Sequence, residues 1–375
     1  MQCRSFIAVS VLSAAIVTAS AQTPTSLKEA YRGDFVIGAA INNAQITGRD
    51  TRGDAIVEAQ FSSISPENIL KWESIHPQPD VYAFDLPDKY VALGEKNHMF
   101  IVGHCLVWHS QVPAWVFRDD KGNFVDRETL LKRMHDHIQT VVGRYKGRIQ
   151  SWDVVNEALN EDGTLRQSPW LKIIGEDYIA KAFEFAHEAD PQAQLNYNDY
   201  NLENEPKRKG AIALIAKLKA QGVPITAVGL QGHLTLTSPS LEEEDATIAA
   251  FAKLGVKVAI TELDVDVLPR DPQMFGAEVS LKIQQDPKLN PYANGLPPSA
   301  QQELAKRYAD LFGVFLKHRD AVNRVTFWGV TDGDSWLNGW PIRGRTSYPL
   351  LFDRGGQPKP AFQAVVQTAL DKDKK

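Results

Sequence analysis

Short apolar runs alternate along the chain with segments whose apolar residues recur at helical spacing. The runs lie at residues 35–40, 62–65, 99–104, 149–155, 194–197, 227–230, 257–261 and 324–329. They are continuous rather than alternating, which is typical of parallel strands buried on both faces. Eight such strands alternating with amphipathic helices predict an α/β fold, a (β/α)8 TIM barrel built as a single domain.

Two further features of the sequence refine this prediction: a helix start and a long loop. Ser240 followed by Glu243 has the spacing of a capping box, which predicts a helix start there. After the seventh strand, residues 268–300 interrupt the alternation of strands and helices; they contain six prolines and show no periodic pattern. Loops of that length are usually functional or disordered, and this one is predicted to lie at the mouth of the barrel.

The N-terminus has the pattern of a secretory signal peptide at residues 1–21. Arg4 provides a positive charge, residues 6–17 are apolar, and residues 19–21 read Ala-Ser-Ala, a typical cleavage site. The apolar run is shorter than the roughly 20 residues that cross a bilayer. We therefore expect a mature chain of residues 22–375, secreted or periplasmic, with no membrane contact after cleavage. Removal of Cys3 leaves Cys105, which lies in an apolar run and is expected to be buried.

Composition excludes several classes of protein. The chain has 375 residues, 43% hydrophobic and 23% charged, with a net charge of −5. These values are typical of globular proteins and exclude collagen-like or disordered chains. No run of Lys or Arg forms a basic patch, so a nucleic-acid partner is not expected. The eight tryptophans are the one departure from average composition.

Polar and aromatic residues cluster where the predicted strands end, which is the rim that carries active sites in such barrels. Glu157 and Glu262 directly follow the fourth and seventh strands. Tryptophan rings can stack on sugar rings, and amide, Lys and His side chains can bind hydroxyl groups. Two carboxylates in such a setting are the usual catalytic residues of glycoside hydrolysis, one as acid and the other as nucleophile or base.

Five motifs strengthen this interpretation. They are SPENILKW at 65–72, GHCLVWH at 103–109, WDVVNE at 152–157, GLQGH at 229–233 and ITELD at 260–264. Together, and in this order, they resemble glycoside hydrolase family 10, the retaining endo-β-1,4-xylanases. The resemblance extends from about residue 27 to residue 370. It implies a glycoside hydrolase that cleaves internal bonds of xylan, without cofactor or metal.

The resemblance also implies catalytic roles. Glu157 would be the general acid/base and Glu262 the nucleophile, while Asn156 would bind the sugar 2-hydroxyl. His233 would hold Glu262, and Asp264 would hold His233. Residues two apart on a strand project to the same side, so this support is physically possible. A compensated Glu262 would stay ionised, and a less compensated Glu157 would stay protonated.

Substrate contacts follow from the same resemblance. Glu67, Asn68 and Lys71 would bind sugars on the non-reducing side of the cleavage point. His104 and Trp108 would line the sugar at that point.

The resemblance further implies that Gln231 would join Asn156 near the nucleophile, and that Tyr200 would help to form the leaving-group side. Trp328 and Trp336 would be aromatic walls around xylose. The remaining tryptophans of the mature chain are expected to pack in the core or in outer loops: Trp72, Trp115, Trp152, Trp170 and Trp340.

Three alternatives remain open from sequence. His104, His109, His233 and Asp264 are potential ligands of a metal-dependent hydrolase, although that reading leaves both glutamates unexplained. The second alternative is a non-catalytic barrel that binds sugars. The third is a β-1,4-glucanase, which fold and catalytic residues do not exclude. The favoured partners are xylan and xylo-oligosaccharides, acted on by a monomer.

Overall fold

The computed structural model describes residues 26–274 and 277–372. The predicted signal peptide at residues 1–21 and the predicted start of the mature chain at residue 22 lie outside the described residues. Among the described helices, none is both long enough and apolar enough to cross a membrane.

The described residues form a closed parallel barrel surrounded by helices, as predicted. The nine strands found in them are β1 Val36–Ile41, β2 Ser63–Pro66, β3 Phe100–Val107, β4 Ser151–Asn156, β5 Gln194–Asp199, β6 Ala227–Leu230, β7 His233–Thr235, β8 Lys257–Asp266 and β9 Val322–Phe327. Sequential pairing runs from β1 to β6, and β6–β8, β8–β9 and β9–β1 pairs close the ring. All eight predicted strands are present.

Helices connect the strands on the outside of the barrel. The longest are α5 Asp85–Lys96, α6 Arg127–Arg144, α8 Tyr178–Ala189, α9 Glu205–Ala220, α10 Leu241–Lys253, α11 Pro298–Lys317 and α12 Pro360–Leu370. Shorter ones are α1 Leu27–Ala30, α2 Asn43–Ile46, α3 Thr51–Gln60, α4 Trp72–Ile75 and α7 Pro169–Ile174, with 3-10 turns at Ala114–Val116, Pro287–Leu289 and Trp336–Asn338. Ser240 caps α10 in the predicted capping box with Glu243.

The structure differs from the prediction at the end of β8. This strand continues to Asp266 instead of ending at residue 261. Its acidic residues suggested a loop, but they are buried and paired: Asp266, for example, accepts a hydrogen bond from Arg345 Nη1 at 3.2 Å. The extension pairs with β7, which the sequence pattern did not reveal, and the register places His233 opposite Asp264.

The proline-rich segment after β8 is a long loop, but it ends earlier than predicted, because α11 begins at Pro298. It packs against the loop that follows β9. Ile283 N–H donates to Pro341 O at 3.0 Å, and Arg345 Nε donates to Leu289 O at 3.2 Å. The two longest rim loops therefore support each other beside the mouth of the barrel.

The tryptophans expected to pack do so. Trp152 is 0% exposed, and Trp72 stacks on His137 with 3.7 Å between ring centroids. Trp170 is buried and donates its indole N–H to Trp108 O at 2.7 Å. Cys105 is also buried, as expected.

Gly103 is required by the close approach of Trp152. A Cβ atom on Gly103 would lie 2.1 Å from Trp152 Cε3. We expect Gly103→Ala to destabilise the fold by about 1–3 kcal/mol, since overpacking of a core forces side chains out of place. Urea denaturation followed by tryptophan fluorescence measures this loss.

Gly143→Ala is the matched control. Gly143 lies exposed in α6, with nothing within 4 Å of the added Cβ. Alanine in a helix interior is favoured over glycine by about 0.5–1 kcal/mol, so this variant should be slightly more stable. Equal stability changes in the two variants would contradict the packing role of Gly103.

Candidate active site

A cavity opens at the rim where the barrel strands end. Fifteen residues line this cavity, and thirteen of them are polar or aromatic. The lining consists of Glu67, Asn68, Lys71, His104, Trp108, Gln111, Asn156, Glu157, Gln231, His233, Glu262, Ala277, Val279, Trp328 and Trp336. The structure therefore brings together all but two of the site residues predicted from sequence. Asp264 lies behind His233, and Tyr200 lies beside the cavity.

Glu262 is held as an ionised carboxylate. Its Oε1 accepts a hydrogen bond from Asn198 Nδ2 at 2.9 Å, and its Oε2 lies 3.2 Å from His233 Nε2. Burial raises the pKa of this 5%-exposed group, but the His233 hydrogen bond and the charges of His104 and His233 outweigh it. The pKa of Glu262 is consequently below its ordinary value.

His233 is fixed from behind by Asp264. Its Nδ1 lies 3.1 Å from Asp264 Oδ1, an ion-pair contact, and the β7–β8 register keeps the two residues side by side. Burial lowers the pKa of His233, but the charge and hydrogen bond of Asp264, with those of Glu262, raise it to about 10. Trp336 Nε1 donates to Asp264 Oδ2 at 2.7 Å, so one carboxylate orients both a histidine and an aromatic wall.

Glu157 has the opposite environment. Its Oε2 accepts from Trp108 Nε1 at 2.8 Å and its Oε1 from Gln231 Nε2 at 2.9 Å, but no cation among residues 26–274 and 277–372 forms an ion pair with this carboxyl. Burial and the nearby charge of Asp199 raise the pKa of Glu157 to about 7 despite these two hydrogen bonds. The pKa values of the two glutamates are thus shifted in opposite directions.

The backbone of Glu157 is strained. Its φ is 57°, in the left-handed region that residues with a side chain seldom occupy. Two hydrogen bonds hold this conformation: Glu157 N–H donates to Asn198 O at 2.8 Å, and Arg166 Nε donates to Glu157 O at 3.1 Å. Strain of this kind is characteristic of functional sites, where surrounding structure over-determines one residue.

A buried set of amides links the two glutamates. Asn198 Nδ2 lies 2.8 Å from the Asn156 side chain, and Gln231 Nε2 lies 3.4 Å from it. Thr261 Oγ1 donates to Asn198 Oδ1 at 2.6 Å and so fixes the orientation of the Asn198 amide. Asn156 is therefore held within reach of the space between Glu157 and Glu262.

Lys71 organises one end of the cavity. Its Nζ donates to Asn68 Oδ1 and Gln111 Oε1, both at 2.9 Å, and it lies 5.1 Å from the centroid of the Trp108 ring. Burial raises the pKa of the neighbouring Glu67, although the charge of Lys71 opposes the rise. Gln111 was not among the predicted site residues; its position two residues after the 103–109 motif was the available signal.

His104 is oriented by Asp153. Its Nδ1 lies 2.9 Å from Asp153 Oδ2, and Asp153 Oδ1 also accepts from Asn196 Nδ2 at 2.9 Å. The edge of the His104 ring faces Trp328, with 5.4 Å between centroids. These contacts place an imidazole and an indole on the cavity wall with 73° between their ring planes.

Tyr200 is turned toward a network of charges. Its hydroxyl accepts from Arg166 Nη2 at 2.8 Å, and Lys207 Nζ lies 3.6 Å from its ring centroid. Arg166 also donates from Nη1 to Glu278 Oε2 at 2.9 Å. Arg166 and Glu278 were not among the predicted site residues, and nothing in the spacing of the chain indicates their contact.

His109 is buried near Glu278 without a hydrogen bond to it. Neither of its ring nitrogens has a hydrogen-bond partner among the described residues, and Nε2 lies 3.9 Å from Glu278 Oε2. Burial, followed by the charge of Arg166, lowers the pKa of His109 to about 4. His109 is therefore neutral near pH 7.

The four candidate metal ligands do not converge. His104 pairs with Asp153, His233 with Glu262 and Asp264, and His109 lies beside Glu278. Within residues 26–274 and 277–372, no group of three or more potential ligands has the arrangement of a metal site.

Comparison with known proteins identifies the family. The sequence profile of Glycosyl hydrolase family 10 matches residues 26–368. The chain belongs to this family. As a family 10 glycoside hydrolase, it is 45% identical over 351 residues to Endo-1,4-beta-xylanase A of Xylanibacter ruminicola, covering 94% of this chain and 95% of the relative. It is 43% identical to Beta-1,4-xylanase of Dictyoglomus thermophilum, covering 91% and 90%.

Solved structures of the family agree with the fold. An endoxylanase of family 10 retrieved from a sugarcane soil metagenome superposes with a TM-score of 0.89 at 50% identity, covering 91% of this chain and 99% of that one. A mutant solved in complex with xylotriose superposes with a TM-score of 0.82 at 36% identity, covering 91% and 99%. The barrel and its rim loops are thus those of family 10.

The charge difference between the glutamates can be measured without substrate. We expect a carboxyl that titrates near pH 7 in the ¹³C NMR spectrum of protein labelled at glutamate Cδ, because burial and Asp199 disfavour ionised Glu157. The signal should be absent from Glu157→Gln and present in Glu176→Gln, which alters an exposed ion pair with Lys217. If Glu157→Gln kept every near-neutral titration seen in the unaltered protein, the assignment would be contradicted.

Proposed function

We propose that this family 10 glycoside hydrolase is an endo-β-1,4-xylanase that cleaves internal bonds of xylan and xylo-oligosaccharides with retention of anomeric configuration. The observation that carries the proposal is the difference between two glutamates in one cavity: the pKa of Glu157 is raised to about 7, and that of Glu262 is lowered below its ordinary value. The relatives named as xylanases, and the related structure with xylotriose, support the substrate class.

The first step of the proposed reaction uses both groups. Glu262 attacks the anomeric carbon while Glu157 transfers its proton to the leaving glycosidic oxygen, which forms a glycosyl-enzyme ester and frees the shortened chain. Asn198 and His233 keep the attacking carboxylate ionised and oriented. In this proposal Asn156 binds the sugar 2-hydroxyl, a contact expected to strengthen in the transition state.

The second step reverses the proton transfer. Glu157, now a carboxylate, takes a proton from water, whose oxygen attacks the anomeric carbon and displaces Glu262. A pKa near 7 suits a group that must donate and then accept a proton. Two inversions at the same carbon give net retention.

Substrate binding extends away from Glu157 toward Lys71. Lys71, Asn68, Glu67 and Gln111 offer charged and amide groups for sugar hydroxyls. Trp328 and Trp336 form the aromatic walls, and Trp336 is fixed by Asp264. We also propose export directed by residues 1–21 and action as a monomer, which size-exclusion chromatography of the secreted protein checks.

Leaving-group dependence tests the roles of the two glutamates. Glu157→Ala should lower kcat/KM on xylo-oligosaccharides about 10²–10⁴-fold, because general acid catalysis is worth that much. In the same variant, the rate of the first step on an aryl xylobioside with a good leaving group should fall far less. Glu262→Ala should form no glycosyl-enzyme with either substrate, as mass spectrometry after a quench would show.

Equal losses on both substrates in Glu157→Ala would contradict its role as acid. Proton NMR of the first product formed by the unaltered enzyme measures anomeric configuration, and an α-product would overturn retention. A product profile on xylan, arabinoxylan and cellulose separates a xylanase from a β-1,4-glucanase.

The pH profile of kcat/KM should be bell-shaped. Activity needs protonated Glu157, so it falls as pH rises through about 7. Activity also needs ionised Glu262, so it falls again when pH drops through a pKa below the ordinary value of 4.5. Asp199→Asn should move the upper limb to lower pH, because it removes a negative charge that raises the pKa of Glu157. An unmoved upper limb would contradict this electrostatic coupling.

A further inference from the structure

A stack of four rings lies behind the Lys71 end of the cavity. Trp72, the residue after Lys71, is buried and stacks on His137 of α6, with 3.7 Å between ring centroids and 6° between planes. The ring of His76, which follows α4, is parallel to that of His137, with 1° between planes. Tyr82 stacks on His76 with 3.8 Å between centroids. We call Trp72, His76, Tyr82 and His137 the ring stack.

One hydrogen bond joins the two imidazoles of the ring stack. His76 Nδ1 lies 3.1 Å from His137 Nδ1, and His76 Nε2 lies 3.0 Å from Pro79 O. Burial lowers the pKa of His76 and holds that of His137 well below its ordinary value, so both rings are neutral near pH 7. A neutral imidazole carries one N–H, and a carbonyl oxygen only accepts. The proton of His76 is therefore on Nε2, and His137 donates from Nδ1.

His137 is oriented by this bond and supports Trp72 with its face. The side chain is 0% exposed, and its Nε2 has no hydrogen-bond partner among the described residues. The bond to His76 is thus the polar contact that fixes the plane of the ring. His137 does not line the cavity, so its effect on a substrate must pass through Trp72 and α4.

Helix α4 depends on the ring stack for its position. It has four residues, Trp72–Ile75, and a helix of one turn is not stable by its own hydrogen bonds. Its N-cap residue, Lys71, makes no side-chain capping hydrogen bond. The turn is held instead by packing of Trp72, which stacks on His137 and lies 5.5 Å from Trp170 between ring centroids.

The same turn carries groups of the cavity wall. Lys71 Nζ donates to Asn68 Oδ1 and Gln111 Oε1, both at 2.9 Å. Glu73 N–H donates to Gln111 O at 2.8 Å, so α4 also fixes the backbone of Gln111. A displacement of Trp72 would therefore move Lys71 and loosen Gln111. The strands that carry the two catalytic glutamates would stay in place.

We propose that His137 is a positioning residue that acts through Trp72. It places Lys71, together with Gln111, to bind sugars on the non-reducing side of the cleavage point. This inference rests on the proposed function and adds to it a residue outside the cavity that governs binding away from the reacting bond. Loss of His137 weakens the binding of those sugars more than it affects the chemistry of the two glutamates.

The test compares two substrates that differ by one sugar. 4-Nitrophenyl xyloside occupies only the cleavage point, and 4-nitrophenyl xylobioside adds one sugar on the non-reducing side. The ratio of their kcat/KM values therefore measures what the added sugar contributes. Asparagine can donate to His76 in place of His137 Nδ1 but offers no ring to Trp72. His137→Asn should lower the ratio about tenfold, the scale of one hydrogen bond to a charged group, while kcat/KM on the xyloside falls far less.

Variants at two other positions show whether the effect passes through the ring stack. Tyr82 is half-buried, and Tyr82→Leu removes one ring of the stack, so the ratio should fall about threefold, the scale of one aromatic pair. His135 is the matched control on the same helix, because it is exposed and lies beside Asp136 and Glu188. His135→Asn should leave the ratio as in the unaltered enzyme.

A double variant separates positioning from general damage to the fold. If His137 acts through Lys71, adding His137→Asn to Lys71→Met should lower the ratio far less than His137→Asn does in the unaltered enzyme. Losses that add fully in free energy would overturn the proposal.

The proton on His137 can be observed directly. The ¹⁵N NMR spectrum of protein labelled at histidine should show a neutral ring protonated at Nδ1 that is missing from His137→Asn. If no such signal were lost in this variant, the hydrogen bond that orients His137 would be refuted, and the proposal with it.

An unchanged ratio in folded His137→Asn would also overturn the proposal; if circular dichroism shows that this variant does not fold, an unchanged ratio in Tyr82→Leu does so. An equal fall on both aryl substrates would overturn it too, since the ring stack would then support the whole site and not its Lys71 end. Failure of the proposed function is distinguishable, because the unaltered enzyme would then cleave neither xylan nor either aryl substrate.

Discussion

Two carboxylates share one buried cavity and must carry different charges there. Ionising both would bring two negative charges into a poorly solvated space, which is costly without compensation. The protein compensates one of them: Glu262 receives Asn198 and a protonated His233, while the donors described above for the Glu157 carboxyl, Trp108 and Gln231, are neutral. Burial raises the pKa of Glu157 to about 7, while His233 helps to lower that of Glu262. The difference in pKa between the two carboxyls therefore depends on where one positively charged histidine is placed.

The backbone secures that placement. His233 belongs to a three-residue strand, β7, whose pairing with the extended end of β8 sets it opposite Asp264. Asp264 in turn receives the Trp336 indole, so the charge of His233 and the position of an aromatic wall have a common support. A shift in the β7–β8 register would alter electrostatics and cavity shape together.

Much of this was predictable from sequence. Continuous apolar runs predicted the eight barrel strands. Polar residues at the strand ends indicated the cavity, because parallel strands bring those ends to one rim. The extension of β8 was missed because Asp264 and Asp266 resemble loop residues until their buried partners, His233 and Arg345, are known. The Arg166–Glu278 contact joins residues 112 positions apart in two irregular loops, where no periodicity restricts the path of the chain.

Trp108 contacts both Lys71 and the carboxyl of Glu157. Its ring lies against Lys71, and its indole N–H is bonded to the carboxyl of Glu157. A sugar that displaces the indole changes the proton affinity of Glu157, and by reciprocity the proton on Glu157 changes the affinity for that sugar. Any ligand at the Lys71 end that moves this indole is therefore linked to proton uptake or release at Glu157.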